Sequence, residues 1–271
     1  MRAYFGTVTR IAPRLAERQA AFLFCLPRRL HHHDVPPVPA EARLQVVRAG
    51  SKEIATWTWG TGPRVLLAHG WAGSARDMVP IAMQLGHRGC SVTVFDMPAH
   101  SRSTGRTTTL PEMAEAVRVV ARTTGTPDGV VGHSLGAAAV VLALRDGLGA
   151  TSAALLAPVA EPWLFLRRLA DLLAFSDARY QGLVGQIQRR AGVAIRAIDG
   201  ATAARSLTAR ALILHDPADR QVPFSHGEAL ATAWSGATLQ ATPGLGHRRL
   251  LYDGQAVARV AEHLTRYERQ R

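Results

Sequence analysis

The sequence predicts an α/β fold, with a mostly parallel eight-stranded sheet, helices on both faces and a small helical cap. Two observations predict it. Short apolar runs, typical of strands that are buried on both faces, alternate along the chain with stretches of helical spacing. The chain has 271 residues, 47% of them hydrophobic, which is enough to bury a large core around such a sheet.

The first two strands are expected to differ from those that follow. Residues 44–47 and 54–59 are expected to be extended. In the second run two sets of side chains alternate, Ile54, Thr56 and Thr58 against Ala55, Trp57 and Trp59, which favours an antiparallel pair at a sheet edge. Six short buried strands follow, at 65–68, 92–95, 129–132, 153–156, 211–214 and 238–241. The intervening helices are predicted at 78–85, 110–122, 136–145, 228–234 and 255–266.

One stretch interrupts the alternation of strands and helices. No core strand is evident between residues 158 and 206, whereas Trp163, Leu166 and Leu169 recur at helical spacing. We therefore predict a helical cap at about 161–205, inserted into a single domain that spans 43–271. Residues 1–42 are predicted to form a separate helical and linker segment.

The N-terminal segment shows an amphipathic pattern, with Ile11, Leu15, Phe22 and Leu26 at roughly helical spacing. Such a helix either packs on the body of the protein or lies on a membrane surface. Three prolines in 35–40 exclude a regular helix there, so His31-His32-His33 are interpreted as part of a solvated linker rather than a metal site. The chain has no apolar run of about 18 residues, which predicts no membrane-spanning helix. Two cysteines without a disulfide framework favour a reducing compartment, and a cytoplasmic location is expected.

The net charge of +12 invites a nucleic-acid interpretation, but the residue types do not support it. Lys52 is the only lysine, so 31 of the 32 basic residues are arginines, and these are scattered along the chain. Neither an RNA-binding signature nor zinc-finger spacing is present, and we predict no nucleic-acid partner. Cys25 and Cys90 form no metal or redox motif, so neither a metal nor a cofactor is expected.

The pentapeptide Gly132-His133-Ser134-Leu135-Gly136 lies between a predicted strand and a predicted helix. A G-x-S-x-G sequence in that context is typical of a nucleophilic serine on a tight turn, where only small residues two positions away avoid a clash. The amides at the start of the following helix would then face the developing negative charge. Ser134 is therefore the candidate nucleophile.

A second glycine-rich loop, His69-Gly70-Trp71-Ala72-Gly73, follows the first buried strand. Acyl transfer needs two backbone amides to hold the oxyanion of the tetrahedral intermediate. We assign these to Leu135, directly after the nucleophile, and to Trp71.

Two further candidates follow later strands. Asp219 comes after the strand at 211–214, and His247 comes after the strand at 238–241. The order Ser, Asp, His matches an α/β sheet in which each residue follows the carboxyl end of a strand. The aspartate would orient the imidazole and stabilise its charged form. Asp216 is the alternative acid, but it directly follows the strand and should be needed for the turn.

With these motifs the chain resembles the α/β-hydrolase superfamily from about residue 44 onward, and within it the small capped esterases and lipases. Residues 96–103 (DMPAHSRS) are similar to the superfamily's D-x-P-G-H-G-x-S loop, with Ala99 and Ser101 in place of glycines. Residues 215–223 are similar to its acid-bearing G-x-x-D-x-x-V-P segment, which supports Asp219. His215 lies near the position at which the superfamily commonly has a glycine. A serine in the elbow excludes the dehalogenase and epoxide-hydrolase relatives, which use aspartate there.

The expected activity is hydrolysis of a small carboxylic ester, with a short to medium acyl chain, through an acyl-enzyme on Ser134. Acyl transfer to an acceptor other than water, thioester hydrolysis, and a catalytically idle binding protein are the alternatives. The oligomeric state is not readable from the sequence. The residues expected to line the substrate pocket are His133, Trp163, Leu164, Leu166 and Leu172.

Overall fold

A computed structural model describes residues 2–27 and 37–266. The strands are β1 (Arg43–Ala49), β2 (Lys52–Trp59), β3 (Arg64–Ala68), β4 (Ser91–Phe95), β5 (Gly129–His133), β6 (Ser152–Leu156), β7 (Arg210–His215) and β8 (Ala237–Ala241). The helices are α1 (Arg2–Ile11), α2 (Pro13–Phe24), α3 (Val79–His87), α4 (Leu110–Thr124), α5 (Leu135–Arg145), α6 (Trp163–Leu172), α7 (Asp177–Ala191), α8 (Gly200–Ala204), α9 (Ser225–Ala233) and α10 (Gly254–Thr265).

The strands form one sheet in the order β1-β2-β4-β3-β5-β6-β7-β8. β1 pairs antiparallel with β2 and β2 antiparallel with β4, whereas all later pairs are parallel. The predicted mostly parallel sheet with an antiparallel edge is therefore confirmed. Because the parallel strands run the same way, the loops that follow β3, β5, β7 and β8 meet at one edge of the sheet.

Two apolar clusters fill the space on either side of the sheet. One contains buried residues of α4, α5, α8 and α9, and the other contains those of α3 and α10. β5 and β6 are buried along their whole length, as a strand covered on both faces must be. Helices on both faces thus hold the central strands rigidly under the loops at the carboxyl edge.

A third apolar cluster joins the N-terminal helices to the helices between β6 and β7. Phe5, Ala16 and Ala20 pack there with Leu166 and Leu183. The sequence analysis expected one N-terminal helix, but the structure has two, because Ala12 leaves the helical conformation (φ −140°, ψ 70°) and Pro13 begins the second. The predicted limits at 42/43 and 161–205 stay predictions. The linker at 28–36, with His31–His33, lies outside the described residues.

Among the helices of the described ranges, none combines the length and the hydropathy needed to cross a bilayer.

The end of α6 offers a test of backbone strain at an exposed site. Ala174 has φ 55° and its amide bonds to the carbonyl of Asp171 at 3.1 Å, a helix ending that favours glycine. We expect Ala174→Gly to raise the free energy of unfolding by about 0.5–1 kcal/mol, since the left-handed conformation costs an alanine more than a glycine. Ala178→Gly, in the first turn of α7, should lower it by about 0.5 kcal/mol. Urea unfolding of both variants measures the two opposite shifts.

Candidate active site

Ser134 occupies a strained turn between β5 and α5. Its backbone has φ 53° and ψ −121°, a conformation that a non-glycine residue adopts only where the surroundings enforce it. The flanking glycines are required by close approach. A Cβ at Gly132 would lie 2.5 Å from the Cα of Ala137, and one at Gly136 would overlap the carbonyl oxygens of His69 and Ala68. The turn therefore raises Ser134 above the sheet only because α5 can pack directly on β5 and β3.

Ser134, His247 and Asp219 form one chain of hydrogen bonds. The Nε2 of His247 lies 3.0 Å from the Oγ of Ser134, and its Nδ1 lies 2.7 Å from the Oδ2 of Asp219. With Nδ1–H donating to the carboxylate, Nε2 is free to accept the proton of the serine hydroxyl. All three side chains are buried, which strengthens these electrostatic interactions.

The environment of Asp219 keeps its carboxylate ionised. Burial alone would raise its pKa, but hydrogen bonds from His215 and His247 and from the amide of Val222 hold the pKa well below the ordinary value. The amides of Gln221 and Val222 donate to Oδ1 at 2.7 and 3.0 Å, which leaves Oδ2 to face the imidazole. A permanently charged, fixed carboxylate is the arrangement that stabilises an imidazolium.

Asp216, the alternative acid, binds backbone instead. Its Oδ1 accepts from the amide of Ala218 at 2.7 Å, and its Oδ2 accepts from the amide of Gly246, directly before His247. Asp216 therefore shapes the turn after β7 and fixes the loop that carries the imidazole. Of the two carboxylates, Asp219 is the one that contacts the imidazole.

The loop after β3 runs against the serine turn. A Cβ on Gly70 would lie 3.0 Å from the Cβ of Ser134, so this backbone reaches the nucleophile only because residue 70 has no side chain. Trp71 and Leu135, the two residues assigned to the oxyanion site, both line the cavity at Ser134. Leu135 is the first residue of α5, where backbone amides have no partner within the helix.

Two histidines that the sequence analysis did not assign hold this loop. His69 donates from Nδ1 to the carbonyl of Gly70 at 2.7 Å and accepts the amide of Met97 at Nε2, at 2.8 Å. His100 accepts the amide of Ala72 at 3.1 Å. The P-A-H part of the loop at 96–103 was the sequence signal that pointed to His100. Both rings tie the loop after β3 to the loop after β4.

The two departures from the superfamily's glycines keep the glycine conformation. Ala99 has φ 65° and Ser101 has φ 40°, so the loop retains its turn at the cost of backbone strain. Asp96 compensates, since its carboxylate accepts the amides of Ala75 at 2.7 Å and Arg102 at 3.0 Å. Alanine and serine at these positions therefore leave the positioning of His100 intact.

A cavity of about 540 Å³ opens beside Ser134. Three of the predicted pocket residues, His133, Trp163 and Leu166, line it. Leu164 and Leu172 do not, and their assignment to the pocket was wrong. Leu164 is half-buried but is not part of the cavity wall, and Leu172, at the last turn of α6, is 63% exposed.

Part of the cavity wall comes from an unexpected part of the chain. The residues concerned lie at and just after the end of α2, and they are Leu23, Phe24, Cys25 and Leu26. The amide of Thr108 donates to the carbonyl of Cys25 at 2.8 Å and fixes this end of the helix. The sequence shows that these residues are apolar but carries no signal for where the N-terminal helices dock.

A buried carboxylate links the two loops that carry the candidate oxyanion and base residues. Asp77 accepts the amide of Ser74 at 2.8 Å, the hydroxyl of Tyr252 at 3.0 Å and a guanidinium N–H of Arg248 at 3.3 Å. Burial and the nearby charge of Asp77 raise the pKa of Tyr252 to about 12. His133 adds a further link, because its Nε2 donates to the backbone carbonyl of His247 at 2.9 Å.

In the parts of the chain that the structure describes, no group of three or more His, Cys, Asp or Glu side chains could hold a metal ion.

Two buried histidines predict a loss of stability in mild acid. Burial lowers the pKa of His69 and of His226 from 6.5 to about 4, and each ring accepts a backbone amide that protonation would displace. The unfolded chain takes up these protons near pH 6.5, whereas the folded chain does so only near pH 4. The free energy of unfolding should therefore fall between pH 6.5 and 4, by up to about 1.4 kcal/mol per pH unit for each histidine.

Urea unfolding between pH 8 and pH 5 measures this slope. His226→Gln keeps an acceptor for the amide of Ala160 but cannot titrate, so it should flatten the slope by the share of one histidine. Equal unfolding free energies at pH 6.5 and pH 5 would contradict the prediction.

Comparisons with solved structures find proteins of similar fold. An esterase of Pyrococcus furiosus is 19% identical to this chain and superposes with a TM-score of 0.68. The alignment covers 89% of this chain and 97% of the esterase. Est1E from Butyrivibrio proteoclasticus, solved with ferulic acid bound, has 18% identity, coverage of 83% and 98%, and a TM-score of 0.66. A thermophilic esterase from Thermogutta terrifontis has 18% identity, coverage of 84% and 99%, and a TM-score of 0.62.

At these identities the similarity to solved structures shows the fold. No sequence among the curated proteins matches the chain. Residues 65–262, from β3 to α10, match the family described as the alpha/beta hydrolase family. The matched range covers most of the chain and includes Ser134, Asp219 and His247. On the basis of this match, the chain belongs to the α/β-hydrolase family.

Proposed function

We propose that the protein is a serine esterase that hydrolyses carboxylic esters of short to medium acyl chain. The observation that carries this proposal is the hydrogen-bonded chain from Ser134 through His247 to Asp219, at a strained turn beside an apolar cavity. The esterases of similar fold from Pyrococcus furiosus and Thermogutta terrifontis support the choice of substrate class.

The reaction would follow from the positions of these groups. The Oγ of Ser134 attacks the ester carbonyl carbon while its proton passes to the Nε2 of His247, and the charge of Asp219 stabilises the imidazolium. The amides of Trp71 and Leu135 would bind the oxyanion. The bond to the alcohol then breaks, and the alcohol leaves with the proton from His247. Water attacks the acyl-enzyme by the same route and releases the acid.

The cavity supports an apolar acyl or alcohol group. Its wall combines Trp163 and Leu166 of α6 with Leu23, Phe24 and Leu26 of the N-terminal segment. A volume of about 540 Å³ lies within the range of small-molecule sites, which bury most of their ligand in clefts of about 300–1,000 Å³.

The test is the hydrolysis of p-nitrophenyl esters from acetate to palmitate by the wild type and by Ser134→Ala. We expect a maximum at short to medium acyl length and a loss of kcat of at least about 10⁴-fold in the variant, as for other serine nucleophiles. Unchanged hydrolysis by a folded Ser134→Ala protein would show that another group performs the reaction.

The alternatives predict different outcomes of the same assay. An acyltransferase would form more of the new ester than of the acid when a second alcohol is added. A thioesterase would prefer acyl thioesters to the oxygen esters. A catalytically idle binding protein would be inert towards every ester and would not react with a fluorophosphonate probe at Ser134.

A further inference from the structure

We propose that the outer side of the two N-terminal helices docks on an anionic lipid bilayer. This surface, the hairpin face, consists of the exposed residues Tyr4, Ile11, Leu15 and Leu23 together with Arg10, Arg14 and Arg18. Ile11 is 80% exposed, unusually high for an isoleucine in a packed protein. Leu23 links the face to the candidate active site, because it is exposed and also lines the cavity.

The opposite side of the helices fixes which residues point outward. Phe5, Ala16 and Ala20 are buried against α6 and α7, and the buried carboxylate of Glu17 bonds to the guanidinium of Arg179 at 2.8 Å. Tyr4 donates to the side chain of Gln19 at 3.0 Å, which joins the outer sides of α1 and α2. The hairpin face is therefore a fixed surface.

The charge of this surface selects an anionic partner. Glu17 is the only carboxylate in residues 2–27, and it is paired with Arg179, so the exposed side chains there carry positive charge only. Arg106 and Arg190 add to it beside the ring of Phe22, at 5.8 and 6.0 Å from the ring centre. Each basic residue close to an anionic membrane surface adds a favourable electrostatic interaction to the binding.

The mixture of apolar and basic residues favours lipid over protein. Helices that lie in the headgroup region of a bilayer place arginines beside apolar side chains, and this face has the same composition. A second copy of this chain would bring like charges together in a symmetric pair. In the docked state, an apolar ester could pass from the bilayer to the cavity along Leu23.

The experiment measures the binding of Ser134→Ala protein to vesicles by sedimentation, so that no lipid is hydrolysed. The vesicles contain phosphatidylcholine alone, or phosphatidylcholine and phosphatidylglycerol in equal amounts. We expect binding to the second kind, weakened at high ionic strength. Arg14→Gln and Arg18→Gln should each lower the partition coefficient about fivefold. Ile11→Ser should lower it roughly tenfold.

Matched controls lie elsewhere on the surface. Arg259→Gln on α10 and Leu44→Ser at the start of β1 remove an exposed arginine and an exposed leucine and should leave binding unchanged. Thermal unfolding checks that every variant is folded.

Three outcomes would overturn the proposal: no binding to either vesicle, equal binding to both, or equal losses in the hairpin and control variants. A dimer in solution that Ile11→Ser dissociates would assign the face to a second copy instead. Because the readout is bound protein, a failure of the proposed esterase activity would not change it, and loss of vesicle binding would leave the ester assay intact.

Discussion

Asp219→Asn is expected to lower kcat for ester hydrolysis by about 10⁴-fold while leaving KM within a few-fold, as for the aspartate of other triads. An asparagine presents either an amide oxygen or an NH₂ group to Nδ1 of His247, and it carries no charge to stabilise the imidazolium. Oδ2 of Asp219 is 2.7 Å from that nitrogen, so the loss falls on the step in which the imidazole takes a proton. Steady-state kinetics on the best p-nitrophenyl ester measures it.

Asp216→Asn is the matched control, because this carboxylate lies in the same loop and is also buried. It bonds to the amides of Ala218 and Gly246, so its replacement should reduce the free energy of unfolding by about 1–3 kcal/mol. We expect kcat to fall by no more than about tenfold, since the imidazole keeps its own acid partner. If Asp216→Asn lost more activity than Asp219→Asn, the two roles would have to be exchanged.

Gly136→Ala should be strongly destabilising, with a loss of about 3 kcal/mol in the free energy of unfolding, at the upper end of overpacking costs. The added Cβ would overlap the backbone carbonyl oxygen of His69 and would lie 2.6 Å from that of Ala68. Neither backbone can move away cheaply, because β3 is a central strand of the sheet. The shift would also move Trp71, and we expect kcat to fall with the stability.

Gly254→Ala provides the comparison, since its Cβ would meet nothing within 4 Å at the start of α10. It should be neutral or stabilising by about 0.5 kcal/mol. Urea unfolding of both variants tests the pair. Equal stabilities would mean that α5 does not approach β3 as closely as the structure has it.

The sequence predicts the sheet and the order of the candidate catalytic residues well, for a local reason. Each buried strand is a short apolar run, and Ser134, Asp219 and His247 each follow such a run, so their meeting requires only that parallel strands end at one edge. The glycines at 132 and 136 predict the turn because its geometry leaves room for nothing larger. Each of these features depends on residues that are close to one another in the sequence.

Features that depend on distant docking could not be predicted in this way. Leu172 has the composition of a pocket residue, but its exposure is decided by where α6 ends and what packs beside it. Leu23 and Phe24 line the cavity because α2 packs on α7 and Thr108 bonds to Cys25. Asp77 was missed because its partners, Arg248 and Tyr252, are more than half the chain away in sequence.

The third apolar cluster separates the packing behind one wall of the cavity from the packing that holds the serine turn. Its buried members come from the N-terminal helices and from the segment of α6 and α7, while the sheet has clusters of its own. Substitutions that reshape the far wall of the cavity are therefore absorbed by packing that the sheet does not share. Selection or directed evolution could change substrate range there, at Phe24 or Leu166, without drawing on the stability that holds the serine turn in place.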